Sequence, residues 1–429
     1  MASGDLISKV ADKDTLDRTY ANTNAILAAV GTDVQPQGIK RYGVKINKND
    51  SNPSTRVEYL FDAVGMTPAS MNYSAGTFDY GSWGDVFFVK NNYPAMVKYD
   101  GTEDYKLSTT DHAYKEDGTT ASDVSNMNYG GNAMSVFDGT VDGKIWLSQF
   151  EIGNYEYMII SNVQYDESYN DDAYIRKDGT HADKLYYPMF KGSFDGTRIR
   201  SIAGQTDKCN TTASQEIGYC EANGTHWGMW DWAHQNLLHA MCVIMSKSDD
   251  CQTAFGRGQD SGYSSSATNY GKLSTGTLTD KGQFYGYNDG THDVKVFYME
   301  SRWGLRWDRM LGQILNEGKL LVKMFPPYNL TGDGYTDVGI TPSGTSGGYI
   351  SKTLVNKYGR LPKVASGSSS TYLCDGLYFN NSGVRVALVG GDCLAGLLCG
   401  SLYVHWYHTA SDTYWDFGAS IILEQPVVA

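Results

Sequence analysis

The 429-residue chain carries 48 acidic against 35 basic side chains, a formal net charge of −13, with 48 glycines, 32 tyrosines and 10 prolines. No basic cluster is present, which excludes a nucleic-acid partner, because phosphate binding rests on clustered Lys and Arg. No apolar run approaches the roughly 20 residues that a membrane helix needs, and the Tyr- and Gly-rich composition fits a loop-rich body with a sizeable core.

The N-terminus, MASGDLISKVADKDTL, lacks an apolar secretory segment, and seven cysteines without clustered pairs suit a reducing compartment. Folding in a cytoplasm is the expectation. Residues 12 to 30 predict a helix: Leu16, Thr23 and Val30 recur at seven with Thr19 and Ile26 between them, and Gly31 follows as a stop. It reads equally as an oligomerisation stub and as a docked helix. Pro36 and Gly38 separate this segment, 1–37, from the body.

The body opens as a β-rich part, 38–150, followed by a ligand-binding part, 151–429. Lys144 to Ile160 alternates as two strands around Gly153. Asp-Gly and Asn-Gly pairs beginning at 100, 117, 138, 142, 178, 195, 223 and 289 mark turns. A helix is expected within Thr212 to Asn223, opened by a Thr212-x-x-Gln215 capping pattern and closed by Gly224. Another follows in WDWAHQNLLHAMCVIM, where Trp232, Leu237, Ala240, Met241 and Ile244 keep helical spacing. His234 and His239 lack metal-ligand spacing and read as surface or satisfied histidines; no metal and no cofactor is expected. SDDCQTAFGRG lacks the Gly-Lys-Ser/Thr ending of a phosphate cradle.

The stretch Tyr372 to Ile422 organises the rest. Strand and turn rules account for a regular frame that includes Arg385, Val386, Ala387, Gly390, Gly391, Gly400, Tyr403, Val404, Trp406 and Trp415. They say nothing about an erratic set: Asp392, Leu394, Ala395, Leu398, His405, Tyr407, His408, Asp412, Tyr414, Asp416 and Phe417.

On VRVALVGG, CGSLYV, the W-x-x-T-A-S-x-T-x-W frame and the closing F-G-A-S-I, the chain resembles the variable proteins of diversity-generating retroelements. In that family template adenines become any base, and codons of the resulting NNC form cannot encode Lys, Glu, Gln, Met or Trp. From Val386 to Leu423 the chain has no Lys, Glu, Gln or Met, and its tryptophans stand at frame positions 406 and 415. YGVKINKNDSNPSTRVEYLFDAVGMTPAS, GSWGDVFFVKN and KIWLSQFEIGNYEYMIIS resemble gut-phage tail-fibre proteins. W-G-x-x-W in FYMESRWGLRWDRMLG is similar to the G-N-x-W strand motif of the formylglycine-generating branch, with Leu305 in place of Asn.

The resemblance implies an α+β C-type lectin-like fold of the formylglycine-generating-enzyme-like branch, with a short N-terminal helix and a variable region at about 372–422. Trp303, Trp307, Trp406 and Trp415 are expected to be largely buried. It also implies a non-enzymatic virion protein that attaches a phage to a bacterial surface protein or glycan receptor. Its further partners would be other virion tail proteins, with homotrimeric assembly and no membrane insertion. The erratic side chains would then form a mostly exposed ligand-binding face on one side of the domain, largely free of hydrogen bonds to the frame. The alternative on the same fold is a formylglycine-generating-type Cys oxidase. Arg385 to Cys393 echoes its R-V-x-R-G-G-S-W element, but Val389 replaces the second Arg and Asp392-Cys393 replaces Ser-Trp. Cys393 and Cys399 read as small buried thiols, and the acidic-amide triplets of a calcium-dependent sugar lectin are absent.

Overall fold

The computed structural model describes residues 38–262 and 274–426. The expected helix at 12 to 30 lies outside them. Most regular structure is β: a five-stranded, a six-stranded and a ten-stranded sheet are joined by short helices and many turns. Strands Trp146–Ile152 and Tyr155–Ser161 form the hairpin expected around Gly153, and Arg41–Asn47 pairs with the second of them along its whole length. Position 150, where the sequence reading divides the body, falls inside strand Trp146–Ile152. The five-stranded sheet joins residues from both sides of it.

The six-stranded sheet runs Trp227–Met229, Ile421–Glu424, Lys184–Pro188, Gly131–Asp138, Asn92–Lys98, Glu103–Lys106. The C-terminal strand therefore sits inside the sheet, antiparallel to a neighbour on each side. The ten-stranded sheet is built on the long strand Trp307–Asn316, which pairs antiparallel with Val384–Val389, and that strand in turn with Val404–Trp406. An irregularity between Met310 and Ile314 shifts the register there, and such an insertion bends a strand and increases its twist. The outcome is a largely β fold with a curled sheet.

Helix Trp232–Ser246 is buried along its entire length among the sheets. Asp231 caps it by accepting from the His234 N–H, and its buried polar side chains find partners, Gln235 at the Ser401 carbonyl and Asn236 at Gln149. His239 is enclosed beside Ser401, and His234 bonds Asp231, so both histidines are satisfied. Helix Ala213–Glu221 carries the expected capping box of Thr212 and Gln215.

The Asp-Gly pairs explain the turns in one motif. Asp100, Asp117, Asp138, Asp178, Asp195 and Asp289 each accept, at 2.8–3.0 Å, the N–H of the Thr two residues on. An Asp side chain thus replaces a backbone acceptor in the turn. Two of the eight pairs depart: Asp142 ends the short helix Gly139–Asp142 and accepts from Asn91, and the buried amide of Asn223 donates to the Ile199 and Cys220 carbonyls and anchors the end of the preceding helix.

Charge is buried where the sheets meet. Arg360, on strand Gly359–Ala365, pairs with Glu156 of the five-stranded sheet at 2.7 Å and with Asp249, all three buried. Lys191 pairs with Asp308 at 2.7 Å, both about as deeply enclosed, with Arg302 beside them. Removing one partner of such a group leaves an unpaired buried charge, costing about 3–5 kcal/mol.

Among the described residues no helix is long and apolar enough to cross a membrane.

Candidate ligand-binding face

Strand Val404–Trp406 sets the geometry. Side chains alternate along a strand, so Val404 and Trp406 enter the main core while Tyr403 and His405 face the other way, against Trp307. Tyr407 continues on that side and is exposed. Beyond it the chain loops through residues 408–416 and returns as Phe417–Gly418, parallel to Trp307–Asp308.

Aromatic rings fill this side. His405 lies flat between Tyr378, at 5.0 Å, and His408, at 4.9 Å and 4°. His408 in turn meets Tyr414 at 4.9 Å and Phe417 at 4.7 Å. Trp307, Leu388, Tyr403 and Phe417 form the floor, with Tyr378, Ala395 and Leu398 packed on its edge. Ring pairs at such spacings add about 0.5–1.5 kcal/mol beyond area burial. Tyr407, Tyr414 and Leu394 are the exposed large side chains of the erratic set, at 44%, 46% and 42%.

The expectation that the whole set points outward is corrected at Asp392, His405 and Phe417, which are buried. The physical reason for the two rings is aromatic cover: His408 and Tyr378 stack on His405, while Tyr414 and His408 close over Phe417. Ala395, Leu398, His408, Asp412 and Asp416 are half-buried. Trp303, Trp307 and Trp406 are buried and Trp415 partly so. Leu305 adopts φ +62, a left-handed conformation that costs an L-residue about 1–2 kcal/mol and that Asn tolerates. The one departure from the Trp motif thus falls where Asn would be at ease.

What holds the loops is their main chain. The carbonyls of Ala410 and Tyr414 accept from the backbone N–H groups of Ala213, at 2.9 Å, and Asn210, at 3.0 Å. The first of these donors is a free N–H in the first turn of helix Ala213–Glu221. Arg309 reaches the Asp412 carbonyl at 3.1 Å, Arg306 the Trp415 carbonyl, and the Trp307 N–H the Asp416 carbonyl at 2.9 Å. Arg309 is itself fixed by Glu216 and lies under Phe417 at 5.4 Å. The loop 392–399 is held likewise: Cys393 N–H donates to the Leu305 carbonyl and Gly396 N–H to that of Asp260. Gly391, at φ +87, and Gly400 are obligatory here, because a Cβ would fall 2.5 Å from Cys399 Sγ and 1.9 Å from the Asp375 carboxylate.

Side-chain hydrogen bonds of the erratic residues stay mostly local. Asp412 accepts from the Thr409 N–H and from His408, which hold its carboxyl below the usual range against the opposing effect of burial. Burial, and then the neighbouring His408, pushes His405 down to about 3, so the ring is neutral. Asp392 accepts from the Leu394 N–H at 2.9 Å. Cys393 and Cys399 are free thiols, and burial, followed by the Asp392 charge, raises both, Cys393 to about 12.

Tyr378, Trp307 and Tyr403 as floor, and Arg306 and Arg309 as clamps, were not among the sequence candidates for the site. The signal for Trp307 and the two arginines was present in FYMESRWGLRWDRML, where arginines interrupt an apolar, aromatic run; Tyr378 and Tyr403 lie outside that stretch. Among the described residues, no group of three or more His, Cys, Asp or Glu side chains is placed to hold a metal ion. No protein-family signature and no curated protein matches the chain.

Proposed function

We propose that this face binds a ligand through side chains that are free to change, as in a retroelement-diversified receptor-binding protein of a phage tail fibre. The single observation that carries the reading is the main-chain clamp. The loop 408–416 is gripped through the carbonyls of Ala410, Asp412, Tyr414, Trp415 and Asp416 by donors outside the erratic set. Carbonyls are the same whatever side chain they accompany, so the loop keeps its path while its side chains differ. Exposed Tyr407 and Tyr414 bring rigid, amphipathic area at low entropic cost, as tyrosines do in antibody loops.

A C-type lectin-like fold fits the same facts, because the last strand, Ile421–Glu424, pairs antiparallel with Lys184–Pro188 near the start of the 151–429 part, as the chain ends pair in that family. Attachment to a bacterial surface protein or glycan, alongside other tail proteins, completes the reading. The Cys-oxidase alternative finds no support in the thiols: a nucleophilic Cys needs a lowered pKa, whereas burial raises Cys393 and Cys399.

The test is the DNA of the locus together with one variant. A nearby near-repeat should carry adenines at codons of the erratic set and match elsewhere. Tyr407→Ser/Tyr414→Ser should keep its fold and lose adsorption to a susceptible bacterium. A locus without such a repeat, with normal adsorption by the variant, ends the reading.

A further inference from the structure

Three erratic side chains gather around one imidazole. The His408 ring has Tyr407 at 5.3 Å and Tyr414 at 4.9 Å between centroids, and its Nδ1 meets Asp412 Oδ2 at 3.2 Å. Both tyrosines are exposed, and the Asp412 side chain keeps 34% of its surface open. One carboxylate and two phenol rings thus reach solvent side by side.

No neighbour cancels the charge of that carboxylate. Burial lowers His408 from its ordinary value, so near neutral pH it donates to Asp412 as an uncharged ring. Against the effect of burial, hydrogen bonds from Thr409 and His408 keep Asp412 ionised. Arg309 is answered by Glu216 and touches Asp412 only at the main-chain carbonyl. Arg385 falls on the Ala387 side of its strand, opposite Leu388 of the floor, and donates to the Ser382 carbonyl at 2.8 Å. From Val386 to Leu423 the chain has no Lys or Arg, and the remaining charged residues of the loops, Asp392 and Asp416, are acids.

We infer that Tyr407, Asp412 and Tyr414 receive a cationic side chain, the ammonium of a Lys or the guanidinium of an Arg presented by a receptor protein. A cation is drawn to the face of an aromatic ring, and the Asp412 carboxylate supplies the counter-charge and a strong acceptor. An acidic glycan would meet carboxylates with no Lys or Arg of these loops to answer it. A neutral sugar stacks on tyrosine too, but gains nothing from the charge. This choice of ligand chemistry rests on the proposed binding function and makes it more specific.

The test is a ligand-observed NMR titration of the full chain. The probes are capped glycine pentapeptides with a central Lys, Arg, norleucine or Glu, and a chitin tetrasaccharide as the neutral glycan. The Lys and Arg peptides should bind about tenfold more tightly than the norleucine peptide, and about 0.5 M NaCl should remove most of that difference. Asp412→Asn, which keeps a carbonyl acceptor for the Thr409 N–H, should abolish the preference. Tyr407→Leu, at an exposed ring, should weaken Lys binding about threefold, which guards against a misfolded first variant. Equal binding of the Lys and norleucine peptides, tighter binding of the tetrasaccharide, or no peptide binding would overturn the cation site. Lost adsorption by Tyr407→Ser/Tyr414→Ser without a Lys preference would overturn the cation site alone. A Lys preference in a protein whose Tyr407→Ser/Tyr414→Ser variant adsorbs normally would overturn attachment through this face alone.

Discussion

The sheet junction around Arg360 and the loops around Tyr407 hold their residues by opposite means. At the junction, side chain grips side chain: Arg360 answers Glu156 and Asp249, Lys191 answers Asp308, and no partner can change without its counterpart. At the loops, fixed donors grip backbone carbonyls, and the erratic side chains beside them stack on one another or bond within the loop. Specific side-chain pairing makes a region intolerant of substitution, while backbone pairing makes a region precise in position and indifferent to identity.

The contrast can be broken at either end. Arg360→Met leaves Glu156 without its ion-pair partner and Asp249 with only the longer contact to Arg56 at 3.4 Å, and should cost about 3–5 kcal/mol, read by chemical denaturation. A loss below about 1 kcal/mol would mean that the junction is no more demanding than a surface pair. Phe417→Ala belongs to the erratic set but lies on the buried floor, so it should cost about 3 kcal/mol by the same measurement. A neutral result would return Phe417 to the freely variable class.

The clamp is probed more gently by Ala213→Pro. Pro suits the first position of a helix, and Thr212 already has the extended backbone that precedes proline, at ψ 160. The substitution removes the donor to the Ala410 carbonyl, with an expected cost of about 1 kcal/mol and faster amide exchange confined to 408–416. Smallest in stability is Tyr407→Ser, at an exposed ring, within about 0.5 kcal/mol by thermal melting. Its binding loss should be disproportionate, about 2 kcal/mol or more for each central aromatic contact.

Much of the architecture was legible beforehand where the signal is local. The Thr212 capping box, the hairpin about Gly153, the Asp-Gly turns and the helix from Trp232 all depend on residues within a few positions of one another. The burial of His405 and Phe417 was not legible, because it depends on Tyr378 from the neighbouring strand and on the path of the 408–416 loop, which folds His408 and Tyr414 back over them. The arginine clamps escaped for a related reason: Arg309 acts on a carbonyl 103 residues away. The erratic pattern marked a candidate face, and the tertiary fold decides which of its residues are exposed.

The position of the last strand has a consequence for biosynthesis. Ile421–Glu424 follows the erratic loops in the chain, yet it is the piece that joins Trp227–Met229 to Lys184–Pro188. A ribosome must therefore read through every erratic codon before that sheet can close. A product stopped or frame-shifted within them leaves two strands with unfilled backbone donors and acceptors and an uncovered apolar face, the state that quality-control proteases recognise. The fold thus acts as its own reading-frame check: a chain broken anywhere before Ile421 cannot complete that sheet.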